Sequence, residues 1–181
     1  MIANQIAGLL GVASAVAATD YESIATTTVG AGGQATVTFS SIPSTYKHLQ
    51  LRIIARSAGT SFAGLYMSMN SSVDPVIGHY VVGDGSSATA GANSTKQFGW
   101  AIGSSQLANT FTAEVIDILD YANTNKNKTV RSLAGYELNG SGGVALFSGL
   151  FDTTAAINAL NIYLPTGNIG QYSSFALYGI K

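Results

Sequence analysis

The chain has 181 residues, enough for one β-sandwich or barrel with a sizeable core, and it has no cysteine, which excludes disulfides and thiolate metal sites. Net charge is −1 and only 9% of residues are charged, against about 25% in typical soluble domains. No basic stripe is present, so nucleic acid is not an expected partner, and a polar but uncharged surface suits a protein packed against neighbours.

Residues 1–19 (MIANQIAGLLGVASAVAAT) stand apart from the rest. They contain no Lys, Arg, Asp, Glu or aromatic residue. A signal peptide cleaved after Ala15-Val16-Ala17 is one reading, but no Lys or Arg precedes the apolar part. A membrane span is not expected, because Asn4, Gln5, Ser14 and two glycines interrupt the run and no anchors flank it. Ile2, Ile6, Leu9, Leu10, Ala13 and Val16 recur at roughly helical spacing. The expectation is an N-terminal arm or short helix over about residues 3–17, docked on its own domain or on another subunit. Two segments follow: an arm, 1–19, and a β-sandwich domain, 20–181.

From Asp20 onward the pattern is that of strands. Residues 21–29 and 34–40, joined by the glycine-rich turn 30–33, read as a hairpin. Residues 48–56 alternate, with Leu49, Leu51, Ile53 and Ala55 on one face. Residues 63–70 form the next strand, and 79–82 form either a short strand or one helical turn. Residues 83–94 are rich in Gly, Ser and Ala and predict an exposed, mobile loop. Phe98, Trp100 and Ile102 share the phase of another strand. Residues 111–120 and 128–136 predict a long hairpin, because both arms are rich in Val, Ile, Leu and Thr and the loop is rich in Asn. Strands over 144–150, 158–164 and 173–181 complete the chain, with a helical turn expected at 153–156. Nine or ten strands without long helices predict an all-β, antiparallel β-sandwich, specifically a jelly roll; a closed barrel is the alternative.

The search for chemistry finds no catalytic constellation. His48 and His79 have no partner at metal-ligand spacing, and no nucleophile elbow, zinc-protease helix or phosphate loop occurs. The acids of the long hairpin deserve a test, since glycosidases use paired carboxylates. Alternation places Asp117 with Val115 and Leu119, and places Asp120 on the other face with Glu114, Ile116 and Ile118. Asp117 and Asp120 therefore do not converge, and Arg131 is expected to form an ion pair with one of them. Asp74 with residues 83–85 is a weak calcium pattern that reads better as a turn. Trp100 reads as core rather than as a sugar-stacking platform. No enzyme activity, metal or cofactor is expected.

Three stretches carry a resemblance: YESIAT (21–26) with VTFSSIPSTYKHLQLR (37–52), DILDYANTNKNKTVRSL (117–133), and SSFALYGIK (173–181). Together they resemble small virion structural proteins of tailed bacteriophages. The resemblance spans residues 21–181 and implies a virion location without fixing a position in the particle. It implies a capsid cement or decoration protein that stabilises the head by bridging capsomers, as a homotrimer with the major capsid protein or other virion proteins as partners. Membrane and nucleic acid are not expected partners. In this reading Ile2, Ile6, Leu9, Leu10 and Val16 form the gripping face of the arm. The alternatives are a tail-fibre domain that recognises a host surface glycan and, further off, a secreted carbohydrate-binding module. The family supplies no catalytic residues to carry over.

Overall fold

A computed structural model describes residues 20–71, 73–93 and 96–181. Twelve strands follow in order: β1 (Tyr21–Thr28), β2 (Thr36–Phe39), β3 (His48–Ala55), β4 (Ala63–Met69), β5 (Pro75–Gly83), β6 (Ala88–Asn93), β7 (Gln97–Ala101), β8 (Thr112–Leu119), β9 (Lys128–Glu137), β10 (Gly142–Phe151), β11 (Leu160–Tyr163) and β12 (Ser174–Ile180). No helix occurs among the described residues. The strands form two antiparallel sheets packed face to face, a β-sandwich. The large sheet has the order β1-β12-β3-β8-β9-β10-β5-β6 and the small one β2-β11-β4-β7.

The core follows from strand alternation. Leu49, Leu51, Ile53 and Ala55 of β3, Ile116 and Ile118 of β8, and Phe175 and Leu177 of β12 all point inward. They meet Val37, Phe39, Leu65, Met67, Met69 and Ile162 from the small sheet. Burying one such side chain is worth about 1.5–3 kcal/mol. The β8–β9 hairpin occupies the two central positions of the large sheet, between β3 and β10.

Three local expectations are corrected, and the open alternative at 79–82 is decided in favour of the strand. Residues 21–29 and 34–40 do not pair with each other: β1 pairs with β12 in the large sheet and β2 with β11 in the small one. The turn between them crosses from one sheet to the other. Gly33 lies there at φ 76°, and a Cβ on it would stand 2.6 Å from the Ile169 carbonyl oxygen. Residues 83–94 are not all loop, because Ala88–Asn93 forms the edge strand β6 against β5. The turn before it is tight because the Asp84 carboxylate accepts from the backbone N–H of Ser86 (2.9 Å) and Ser87 (2.7 Å). Pro75 starts β5, where its missing N–H is tolerated, and the 79–82 run belongs to that nine-residue strand. Residues 153–156 form no helical turn.

The hairpin's loop is held from below. Lys128 is fully buried, and its Nζ donates to the carbonyls of Asn123 (2.5 Å), Lys126 (2.8 Å) and Thr154 (3.4 Å). Burial pulls this ammonium below the usual lysine range, and nearby Asp120 partly restores it. Tyr121 is also buried; its hydroxyl donates to the Pro43 carbonyl and accepts from the Tyr46 N–H at 3.4 Å. At the other end of the sheet, Arg56 fans onto the carbonyls of Ser104, Gln106, Leu107 and Thr110 and orders that loop. Lys128→Met keeps the volume but strands carbonyls without a donor. It is expected to cost about 3 kcal/mol, read as a lower urea midpoint at unchanged slope; an unaltered midpoint would show that the ammonium holds nothing.

Candidate functional site

The hairpin acids separate as alternation requires. Asp117 and Arg131 are directly opposite in the β8–β9 register, with Arg131 Nε 3.3 Å from Asp117 Oδ2. Gln50 Nε2 donates to the other oxygen at 3.0 Å. Asp120 lies beyond β8 in the loop and takes Lys126 Nζ at 2.8 Å, which holds its carboxyl below the usual range. Arg131 is largely exposed, so its pair contributes at most about 1 kcal/mol. Two acids engaged by different cations do not form a paired-carboxylate centre.

The other candidates are likewise engaged. His48 Nδ1 accepts from the Asp120 N–H at 3.0 Å, and His79 stands opposite Ser148 in the sheet. Asp74 pairs with Lys96 at 2.5 Å. The Ser86 and Ser87 donors pull the Asp84 carboxyl down to about 2. No group of three metal-ligating side chains forms among the described residues. Trp100 is buried, with ring centroids of Phe62, Tyr136 and Phe147 at 5.7, 5.5 and 5.7 Å. The groove beside the 84–87 turn is lined by glycines, Asp84, Glu137, Ser141 and Val144, with no aromatic ring for a sugar to stack on.

Glu114 is the acid whose surroundings alternation only half discloses. It points inward with Ile116 and Ile118, and its residue is 3% exposed. Its Oε1 accepts from the Trp100 N–H at 2.6 Å, while Oε2 has no hydrogen-bond partner. Burial pushes its pKa up to about 8, against the pull of the single N–H. Beside it, Ser132 Oγ donates to the Phe98 carbonyl. Phe98 and Trp100 lie on β7, whose one strand neighbour is β4. Glu114 and Ser132 thus satisfy the open edge of β7 from the large sheet. The packing is close: a Cβ on Gly99 would stand 1.9 Å from Glu114 Oε2. The buried carboxyl thus serves as a hydrogen-bond acceptor for the backbone of β7.

The outer face of the large sheet is the unusual surface. The register aligns Arg52, Val115, Leu133, Leu146 and Val81 in one row across β3, β8, β9, β10 and β5. The adjacent row holds Ile54, Ala113, Gly135 and Val144. Small Ala113 and Gly135 between large Ile54 and Val144 leave a shallow groove of about 520 Å³. Leu133 and Val144 are each 55% exposed and Leu146 52%. Single exposed aliphatics are ordinary, but a contiguous set of six is an apolar patch larger than scattered surface residues account for. Each has on the order of 1 kcal/mol to gain from a partner. The next row is polar, with Gln50, Asp117 and Arg131, and Arg52 lies against the rings of Tyr178 (4.9 Å) and Tyr21 (5.6 Å). The sequence carried this signal as runs that are apolar at every position, such as Ile53-Ile54 and Ala145-Leu146-Phe147. The arm residues Ile2, Ile6, Leu9, Leu10 and Val16 lie outside the described residues.

Glu114 sets a pH dependence. Below its ordinary value of 4.5 the carboxyl is protonated in both folded and unfolded chains, and between 4.5 and about 8 only the folded chain keeps the proton. Stability from this group is therefore full at the acid end and falls by about 1.4 kcal/mol per pH unit through that window. Glu114→Gln removes the slope, so urea midpoints measured from pH 5 to 8 should diverge in the variant's favour as pH rises; parallel profiles would show the carboxyl to be ionised in the fold. Comparison of the chain with family models, with curated proteins and with solved structures returned no match.

Proposed function

We propose that this chain is a structural protein of a tailed-bacteriophage virion, a cement or decoration protein that binds the major capsid protein and bridges capsomers as a homotrimer. The observation that carries this reading is the contiguous apolar outer face of the large sheet, whose spread over five strands suits a protein neighbour. The scarcity of charge agrees with a life in contact with other proteins. The stretches that carry the resemblance supply all of β12 and parts of β1, β3, β8 and β9, five consecutive strands of the large sheet, together with most of β2 in the small one.

The strand order supports a jelly-roll reading. The chain alternates between sheets, with β2, β4, β7 and β11 in the small one. Around them, β3, β8, β5 and β6 occupy the places of the second jelly-roll sheet. On this reading the β9–β10 hairpin is inserted between β8 and β5, and β12 with β1 extends the sheet beyond β3. The glycan-binding alternative has no corresponding support, since the groove at the 84–87 turn offers no exposed ring.

The test is reconstitution on heads that lack the protein. Wild-type chain should occupy them, and the Val115→Glu/Leu133→Glu double variant should stay folded, with a melting temperature lowered only by the like charges facing each other across β8 and β9, yet lose at least tenfold in occupancy. Undiminished occupancy by the folded double variant would remove the outer face from the interface and this reading with it.

A further inference from the structure

One ring nitrogen of His48 is committed to the backbone. Nδ1 accepts from the Asp120 N–H at 3.0 Å, so it carries no proton, and Nε2 carries the hydrogen of the neutral ring. A second proton can enter only at Nδ1, the atom that holds the backbone. An imidazolium donates from both nitrogens and accepts at neither, so protonation must break this bond. Histidine is the side chain whose ordinary titration falls between pH 5 and 8, and this ring is partly exposed to solvent.

A new acceptor stands beside the ring. Asp120 Oδ1 is 3.9 Å from Nδ1, while Oδ2 takes Lys126 Nζ at 2.8 Å. Lys126 holds this carboxyl below the ordinary range, so it stays an anion throughout the histidine window. Closing 3.9 Å to a charge-assisted hydrogen bond of about 2.8 Å turns the carboxylate toward the ring and away from Lys126. The other charged and titratable groups around His48 have partners of their own. On β8, Asp117 is taken by Arg131 and Gln50. On β3, Arg52 donates to Gln50 and lies over the Tyr178 ring. Beyond β12, Lys181 pairs with Glu22, which also accepts from the Tyr46 hydroxyl. Lys47, next in the chain, is a cation and cannot accept. The residues directly opposite His48 are apolar, Ile180 on β12 and Leu119 on β8.

The backbone is pinned on both sides of this exchange. Tyr121 is buried with its hydroxyl on the Pro43 carbonyl, and Lys128 Nζ holds the carbonyls of Asn123 and Lys126. Movement is thereby confined to the His48 ring, the Asp120 N–H and carboxylate, and the Lys126 ammonium. One neutral hydrogen bond is exchanged for one partly exposed ion pair, two small terms of opposite sign, so the sandwich stays folded. We propose that His48 is an acid-operated switch at the tip of the β8–β9 hairpin: a proton at Nδ1 releases the Asp120 N–H, draws the Asp120 carboxylate from Lys126, and leaves the Lys126 ammonium free in solvent. At neutral pH the tip presents a neutral ring and a closed Asp120–Lys126 pair; in acid it presents an unpaired cation. The switch uses no residue of the apolar rows, so it stands or falls apart from the assembly reading.

The test is an NMR titration of the full chain across the histidine window, from pH 8 down to 5. At the alkaline end the imidazole nitrogen shifts should show the Nε2–H tautomer. As pH falls, the Asp120 amide and the Lys126 ε-methylene resonances should move with the same midpoint as the His48 ring. His48→Asn offers an oxygen to the Asp120 N–H but takes no proton, so both resonances should hold still in that variant. Asp120→Asn keeps the N–H and removes the carboxylate: the amide of residue 120 should still follow the ring, while Lys126 no longer does. An Nδ1–H tautomer at the alkaline end overturns the proposal, as does an Asp120 amide or a Lys126 side chain that ignores the ring. Shifts that persist in His48→Asn overturn it equally. The wild-type titration needs no substitution, so a variant that misfolds leaves the test intact.

Discussion

A four-stranded sheet can cover only one face of an eight-stranded one, and this constraint shapes the whole molecule. Every strand of the large sheet presents alternate residues to two sides. The inner side is satisfied by the small sheet, which brings Val37, Leu65, Met67 and Ile162 against Leu49, Leu51, Ile116 and Phe175. The outer side would ordinarily be polar. Here Ile54, Val115, Leu133, Val144 and Leu146 occupy it, so the central strands are apolar on both faces, the pattern of a sheet covered on both sides. The fold thus supplies one covered face and one apolar face that a single chain leaves open to solvent.

The remaining polar chemistry keeps the scaffold rigid beneath that surface. Glu114 and Ser132 close the open edge of β7 on the very strands whose outward residues, Val115 and Leu133, form the exposed apolar row. Lys128 and Tyr121 fix the tip of the same hairpin, and Arg56 gathers the carbonyls of the loop leading into β8. Much of the small complement of charge is therefore engaged with backbone groups or with neighbouring side chains. In the role proposed, a surface on a stiff sheet would meet its partner without ordering itself first, which lowers the entropic cost of association.

Alternation in the sequence was sufficient to orient β3, β8 and β12, because a period of two is a property of each strand by itself. It also placed Glu114 on the side of Ile116 and Ile118. It could not show that the Trp100 N–H would be its partner, since that pairing depends on how β7 crosses the large sheet. Pairing between strands was least legible. The runs 21–29 and 34–40 look like a hairpin because they are adjacent, yet Gly30–Gly33 carries the chain between sheets and the true partners come from the far end of the sequence. The strand β6 was hidden by its Ala, Thr, Gly and Asn content; its backbone pairing to β5, not its side chains, makes it a strand. The outer face was visible residue by residue but became a surface only once the register put Val115, Leu133 and Leu146 in one row.

The neutrality of the chain has a consequence for the role proposed. In a symmetric assembly each surface charge is repeated in every copy, so a highly charged subunit repels itself many times over. A chain with nine acids and eight bases, several of them paired within the fold, carries little such repulsion. Association then rests on apolar burial, which is non-directional and little screened by salt. Specificity must come from shape and from the polar row of Gln50, Asp117 and Arg131 that borders the apolar ones. A groove formed by Ala113 and Gly135 between Ile54 and Val144 provides shape, because only a partner whose apolar ridge fits between those two side chains buries them both.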